Sequence, residues 1–274
     1  MKIVFFPLFM VIIASLTGTA QDKVIFDSRK WKITFPVSGP GKNALEIRNP
    51  QFSRYVAFPE TMPPVLRKYF HQSEEGLVFH TEYTGVTTSS ATRYSRTELR
   101  EMLDDTEYDW TFDQTARLHC RLKIARLAGG ANKLIFMQIH GKKPVARPFI
   151  KAIWEKGRIR FLVKTGKKLM DREKKRVYAN IPAGEWFTCT ICINRRRLVI
   201  KLNGQVVETY TADELMRYWP AQNTYYFKAG NYLQHTYAGA RATVVFSTIE
   251  VSHGEAAECD LSPHSIRQRG KESN

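Results

Sequence analysis

Apolar residues in this chain recur at every second position far more often than at helical spacing. Short segments rich in β-branched and aromatic residues alternate with glycine, proline, asparagine and aspartate, as strands alternate with turns. Strands are expected at 31–37, 76–83, 117–124, 133–139, 150–154, 158–164, 186–193, 198–202 and 242–251. Trp154-Glu-Lys-Gly-Arg158 and Leu202-Asn-Gly-Gln205 read as hairpin turns, because such turns need the positive φ that Asn-Gly tolerates. Helical spacing is confined to 211–218 and 63–70. Neither an internal repeat nor a linker interrupts residues 22–255. The expectation is one all-β domain over 21–261, a sandwich of two antiparallel sheets of the jelly-roll type.

Composition narrows the function more than the fold. Hydrophobic residues make up 43% and charged residues 25%, which excludes a disordered, collagen-like or multi-span membrane chain. The 42 Lys and Arg against 26 Asp and Glu leave a net charge of +16, which calls for an anionic partner: nucleic acid, acidic lipid or acidic polysaccharide. Residues 1–20 have the form of a secretory signal. Lys2 supplies the positive start, an apolar run follows, and Thr17-Gly-Thr-Ala20 supplies small residues for cleavage. The run is short for a membrane span. The chain is therefore expected to be secreted or periplasmic, without a membrane association after cleavage. The segment 262–274 reads as a polar basic tail.

An exported chain with four cysteines, Cys120, Cys189, Cys192 and Cys259, is expected to form structural disulfides or bury its thiols. Cys189 and Cys192 have C-x-x-C spacing, but on a strand they point to opposite faces, so no metal site is expected there. The basic run 164–176 reads either as a solvated hairpin tip or as an arm on the rim of an anion-binding cleft.

Three segments break the rule that a strand keeps one apolar and one scattered polar face. Arg96, Glu98 and Arg100 share a face by period two. So do Gln138 and His140, with Met137 and Ile139 opposite. So do Tyr226, Lys228, Gly230, Tyr232 and Gln234, with Phe227 and Ala229 opposite. On one sheet this set would be a poor core but a good groove for a carboxylate-bearing chain. Arginine offers a planar fork for carboxylates, and Gln138 can donate to a carboxylate oxygen. Tyrosine can stack on a sugar and exchange a proton. Glu98, between two arginines, reads as the group that orients them. His71, His80, His119, His235, His253 and His264 read as structural.

These motifs resemble the alginate lyases of polysaccharide lyase family 7, which carry R-[ST]-E-[LV]-R, Q-[IV]-H and Y-F-K-A-G-x-Y-x-Q strands. Here they stand in order as Arg96-Thr-Glu-Leu-Arg100, Gln138-Ile-His140 and Tyr226-Phe-Lys-Ala-Gly-Asn-Tyr-Leu-Gln234. Trp31-Lys-Ile-Thr-Phe-Pro-Val37 resembles the family's first strand. The chain departs at Asn231 and Leu233, where the family often has Val or Ile and then Asn; both side chains are expected to point away from the Tyr232 face. The resemblance implies a jelly roll whose concave sheet holds a linear polyuronate, alginate, and cleaves it by β-elimination.

By the same resemblance Arg96, Gln138 and His140 neutralise the substrate carboxylate, and Tyr232, with His140, moves the protons. Glu98, Arg100, Tyr226, Lys228 and Gln234 fall to substrate binding. For mannuronate Tyr232 would serve as both base and acid; for guluronate His140 would be the base. No cofactor or metal is implied, and a monomer is expected. The alternatives are a lyase for another polyuronate such as glucuronan, and a non-catalytic module that binds acidic polysaccharide. A glycoside hydrolase needs two carboxylates, and this face supplies only Glu98. Nucleic acid fits the charge but not the export signal, and no nucleic-acid-binding motif is present.

Overall fold

The computed structural model describes residues 24–103, 106–164, 176–194, 197–216 and 219–257. The signal segment, the basic tail and most of the 164–176 run lie outside the described residues.

Seventeen strands follow one another along the described chain. The first seven are β1 (Ile25–Phe26), β2 (Trp31–Ser38), β3 (Ala44–Ile47), β4 (Phe70–Ser73), β5 (Gly76–Glu82), β6 (Arg96–Glu101) and β7 (Trp110–Thr111). Next come β8 (Ala116–Ala128), β9 (Lys133–Gly141), β10 (Pro148–Glu155), β11 (Arg158–Val163) and β12 (Ala179–Asn180). The last five are β13 (Phe187–Asn194), β14 (Arg197–Leu202), β15 (Gln205–Tyr210), β16 (Thr224–Leu233) and β17 (Arg241–His253). They form two sheets. One runs β15-β14-β13-β8-β17-β5-β4, with β1 parallel to β17; the other runs β12-β11-β10-β9-β16-β6-β2-β3, with β7 beside β16. This is the expected jelly roll.

The strands form where period two allows one face to bury. In β8, Ala116, Leu118, Cys120, Leu122 and Ile124 are buried, and the residues between them are not. Aromatic side chains fill the space between the sheets. Phe136 meets Phe187 edge-on at 5.5 Å, and Phe79 meets Phe246 at 5.2 Å. Each such side chain contributes about 1.5–3 kcal/mol by leaving water.

Helices are few. The expected helix at 63–70 is only Pro64–Arg67, because Phe70 pairs with Phe79 and opens β4. That at 211–218 is Ala212–Met216 within the described residues. A third, Gln51–Ala57, buries Phe52 and Tyr55 and was not anticipated. Cys189 faces Cys120 across the β13–β8 register, and both are buried free thiols. Cys192 is disulfide-bonded, to a partner outside the described residues. Among the described residues no helix is long and apolar enough to cross a membrane.

Candidate active site

β9, β16 and β6 are neighbours, so the three polar faces meet on one sheet. The register sets Tyr232 opposite Arg96, Gly230 opposite Glu98 and Lys228 opposite Arg100. On the other flank Lys228 stands opposite Gln138, and Tyr226 opposite His140. Phe227, Ala229 and Leu233 turn into the core, which sends the intervening side chains to the outer face. That face floors a groove of about 890 Å³, lined by Arg96, Arg100, Gln138, His140, Tyr226, Lys228 and Tyr232 among others.

Glu98 lies beneath the groove floor and is 2% exposed. Its Oε1 accepts from Gln138 Nε2 at 2.5 Å. Its Oε2 accepts from Arg96 Nη1 at 3.0 Å and from Lys228 Nζ. A buried carboxylate is costly unless paired and fully hydrogen-bonded, and here three donors converge on it. Burial alone would raise its pKa; the Lys228 and Arg96 charges outweigh that and hold it below the ordinary glutamate range. Glu98 therefore holds Arg96, Gln138 and Lys228 in place at the groove floor. Lys228 feels the opposite balance. Burial pushes its pKa down to about 8 against the attraction of Glu98.

His140 is held in one tautomer. Its Nδ1 lies 2.7 Å from Gly141 O, a carbonyl that can only accept, so Nδ1 carries the hydrogen. The Tyr226 hydroxyl lies 3.2 Å from the same nitrogen, and the two rings stack at 5.3 Å. Nε2 is left with the lone pair. Burial, then the Lys228 charge, pushes the imidazole pKa down to about 3, so His140 is neutral at physiological pH.

Tyr232 is the complement. The Arg96 guanidinium lies 3.6 Å from its ring centroid, and Tyr94 packs edge-on at 6.0 Å. The ring also rests on Ile135, Ile153 and Leu162. Burial raises the phenol pKa, with Arg96 opposing. The hydroxyl is thus protonated at neutral pH. A neutral imidazole with a free Nε2 and a protonated phenol on one groove floor make a base and an acid in their working states.

Two sequence-expected residues stand apart. Glu98 is under the floor rather than in the groove. Gln234 does not line the groove; its amide turns to the carbonyls of Tyr232 and Leu233, each at 3.3 Å, and also reaches the Tyr232 hydroxyl, where its hydrogen bond opposes the rise in the phenol pKa. Conversely, sequence reasoning missed Lys32, Lys142, Lys151 and Tyr94, which all line it. Lys151 stands opposite Gln138, and Lys32 opposite Arg100. Both lie on strands the periodicity found, but nothing in the periodicity says which strands are neighbours. Among the described residues no three His, Cys, Asp or Glu side chains cluster as metal ligands.

The alginate lyase family model matches residues 26–253. The chain belongs to the alginate lyase family. Its structure is similar to that of alginate lyase A1-II′, a member of polysaccharide lyase family 7, with a TM-score of 0.69 at 24% identity over 83% of this chain and 96% of the other. It is also similar to alginate lyase PA1167 from Pseudomonas aeruginosa, with a TM-score of 0.67 at 26% identity over 83% and 100%. A variant of A1-II′ altered at one histidine and one tyrosine, in complex with the substrate GGMG, matches with a TM-score of 0.70 at 24% identity over 83% and 94%. No curated protein matches the sequence. For an alginate lyase family member, the fold and the order of the three motif strands are those expected from the sequence, and the chain is a polysaccharide lyase.

Proposed function

We propose that this chain cleaves alginate by β-elimination, with His140 as base and Tyr232 as acid, and that guluronate linkages suit it best. The observation that carries the division of roles is the fixed Nδ1–H of His140, which leaves Nε2 as the only basic nitrogen. The C5 proton beside an ionised carboxylate is a poor acid. Arg96, Lys228 and the second N–H of Gln138, all gathered by Glu98, lower that barrier by holding the carboxylate as charge develops on it.

In the step itself the C5 proton passes to His140 Nε2. The C5–H electron pair becomes the C4–C5 double bond, and the C4–O4 bond breaks. Tyr232 Oη gives its proton to O4. No water is consumed, and solvent restores both residues. On guluronate the proton and the leaving group lie on opposite faces of the sugar, which suits two separate residues. On mannuronate they share a face, and a single residue would have to be deprotonated first; the raised Tyr232 pKa disfavours that start. The export signal at residues 1–20 belongs to this reading, since the polymer is too large to enter a cell. The N-terminus of the protein recovered from the medium or periplasm tests that part.

The enzymatic test is ultraviolet absorbance with polyguluronate, polymannuronate and mixed alginate supplied separately. Elimination creates a conjugated double bond that hydrolysis does not. A rise steepest on polyguluronate supports the whole reading. A rise on polymannuronate alone removes the assignment of His140 as base. A flat trace on all three, from folded protein that binds alginate, overturns the proposal in favour of a binding module or another polyuronate.

A further inference from the structure

The groove does not account for the basic residues on the other side of the molecule. In β8 the buried positions alternate with Arg117, His119, Arg121 and Lys123, which therefore point out from the eight-stranded sheet. Lys201 of β14 stands opposite Thr190 of β13, and Thr190 opposite His119, so it joins the same face. Four cations, Arg117, Arg121, Lys123 and Lys201, thus share a surface that Glu250 and Glu75 approach. Glu250 meets Arg117 at 3.6 Å, and Glu75 pairs with Lys123. Trp186, half-buried, lies just before β13. The Arg121 guanidinium is 4.6 Å and the Lys123 ammonium 4.9 Å from its ring centroid.

An aromatic ring fixed beside two cations can stack on a sugar while the cations take its carboxylates. We propose that this outer sheet face is a second, non-catalytic binding surface for a polyuronate chain, running along β8 across Arg117, Arg121, Lys123 and Trp186. The proposal rests on the lyase reading for the identity of the polymer. The chain's net charge of +16 supplies the charge complementarity, and the alternation of β8 supplies a row rather than a point. Successive outward positions are about 6.6 Å apart along the strand, so an extended polyanion meets several cations in line. A second contact of this kind holds a long polymer near the groove and adds avidity without altering the chemistry.

The test compares polymer with short substrate. Arg121→Gln/Lys123→Gln is made in the active protein and in a Tyr232→Phe background. In the inactive background, retardation by polyguluronate in a native gel should fall about fivefold or more, with a neutral dextran gel as the control. In the active protein KM on the polymer should rise while kcat/KM on a guluronate tetrasaccharide stays unchanged. Trp186→Leu should repeat the pattern without removing a charge, and it serves if the double variant does not fold. Polymer affinity equal to the parent's in a folded variant overturns the proposal. Outer-face-dependent retardation in a parent that produces no ultraviolet signal would instead uphold the surface and defeat the lyase reading.

Discussion

The Arg96 guanidinium covers the ring of Tyr232, with Cζ 3.6 Å from the ring centroid, while one of its nitrogens donates to Glu98. One residue thereby ties the Glu98 cluster to Tyr232, the acid of the proposed mechanism. Tyr232→Phe keeps the ring, and so keeps the stack, but removes the proton. Turnover should fall about 10²–10⁴-fold while affinity for alginate is retained. Arg96→Ala should lower both kcat and affinity, since it removes a carboxylate contact and the cover of the acid together. Full activity in Tyr232→Phe would end the mechanism.

The pH profile follows from two buried groups. His140 titrates near 3 in the folded protein, so kcat/KM should show no acidic limb near the ordinary histidine value of about 6.5. Lys228 titrates near 8, and its loss of charge should give an alkaline limb there. Glu98 raises the Lys228 pKa, so Glu98→Gln should move that limb to lower pH. Stability obeys the same linkage. Between about 3 and 6.5 the unfolded chain binds more protons at His140 than the folded one, so this contribution is complete above that window and is lost as pH falls through it. Chemical denaturation at several pH values measures it.

Lys151 stands across from Gln138 and lines the groove. A cation placed there meets a substrate carboxylate in ground state and transition state alike. Lys151→Ala should therefore raise KM several-fold with little change in kcat. The effect should shrink as salt rises. A fall in kcat with unchanged KM would place Lys151 in the chemistry instead.

Much of this site was legible because β6, β9 and β16 each carry polar residues at strict period two. Period two says which residues share a face of one strand. It does not say which strands pair, so Lys151 and Lys32, on strands that were found, stayed invisible as groove residues. The Gln51–Ala57 helix was missed because it is seven residues long and its N-cap position is a proline; the side chain that caps its first turn, Asn49, sits one residue earlier and accepts from Ser53 N at 3.2 Å. Asn231 was expected to point away from Tyr232, and it does. The sequence offered no hint of what it binds there, because its partners are backbone carbonyls of the opposite sheet.

Those partners give a prediction of their own. Asn231 is fully buried, and its Nδ2 donates to Phe79 O at 3.1 Å and Ala242 O at 2.8 Å. Thr81 Oγ1 of β5 donates back to Asn231 O at 3.0 Å. The residue next to the acid is thus pinned to both β5 and β17 across the sandwich. Asn231→Leu fills the space but removes both donors, and it should cost about 1–3 kcal/mol. The variant should lose thermal stability and kcat together, with KM less affected, because the β16 backbone that positions Tyr232 is loosened.

Gly230 sets a sharper limit on the same strand. Its φ is +141°, a region where L side chains are rarely found, and a Cβ there would lie 2.6 Å from Thr97 O and 2.9 Å from Glu98 Cα. The colliding atoms are backbone of β6, which cannot swing aside as a side chain would. Gly230→Ala must push β16 away from β6, and the pairs it separates are Tyr232 with Arg96 and Lys228 with Arg100. Backbone strain of this kind costs about 1–3 kcal/mol. The Tm should drop by several degrees, and kcat should fall further than the lost stability explains, because Arg96 would no longer cover Tyr232. A Gly230→Ala protein with the parent's Tm and kcat would show that β6 and β16 can separate without harm to the site.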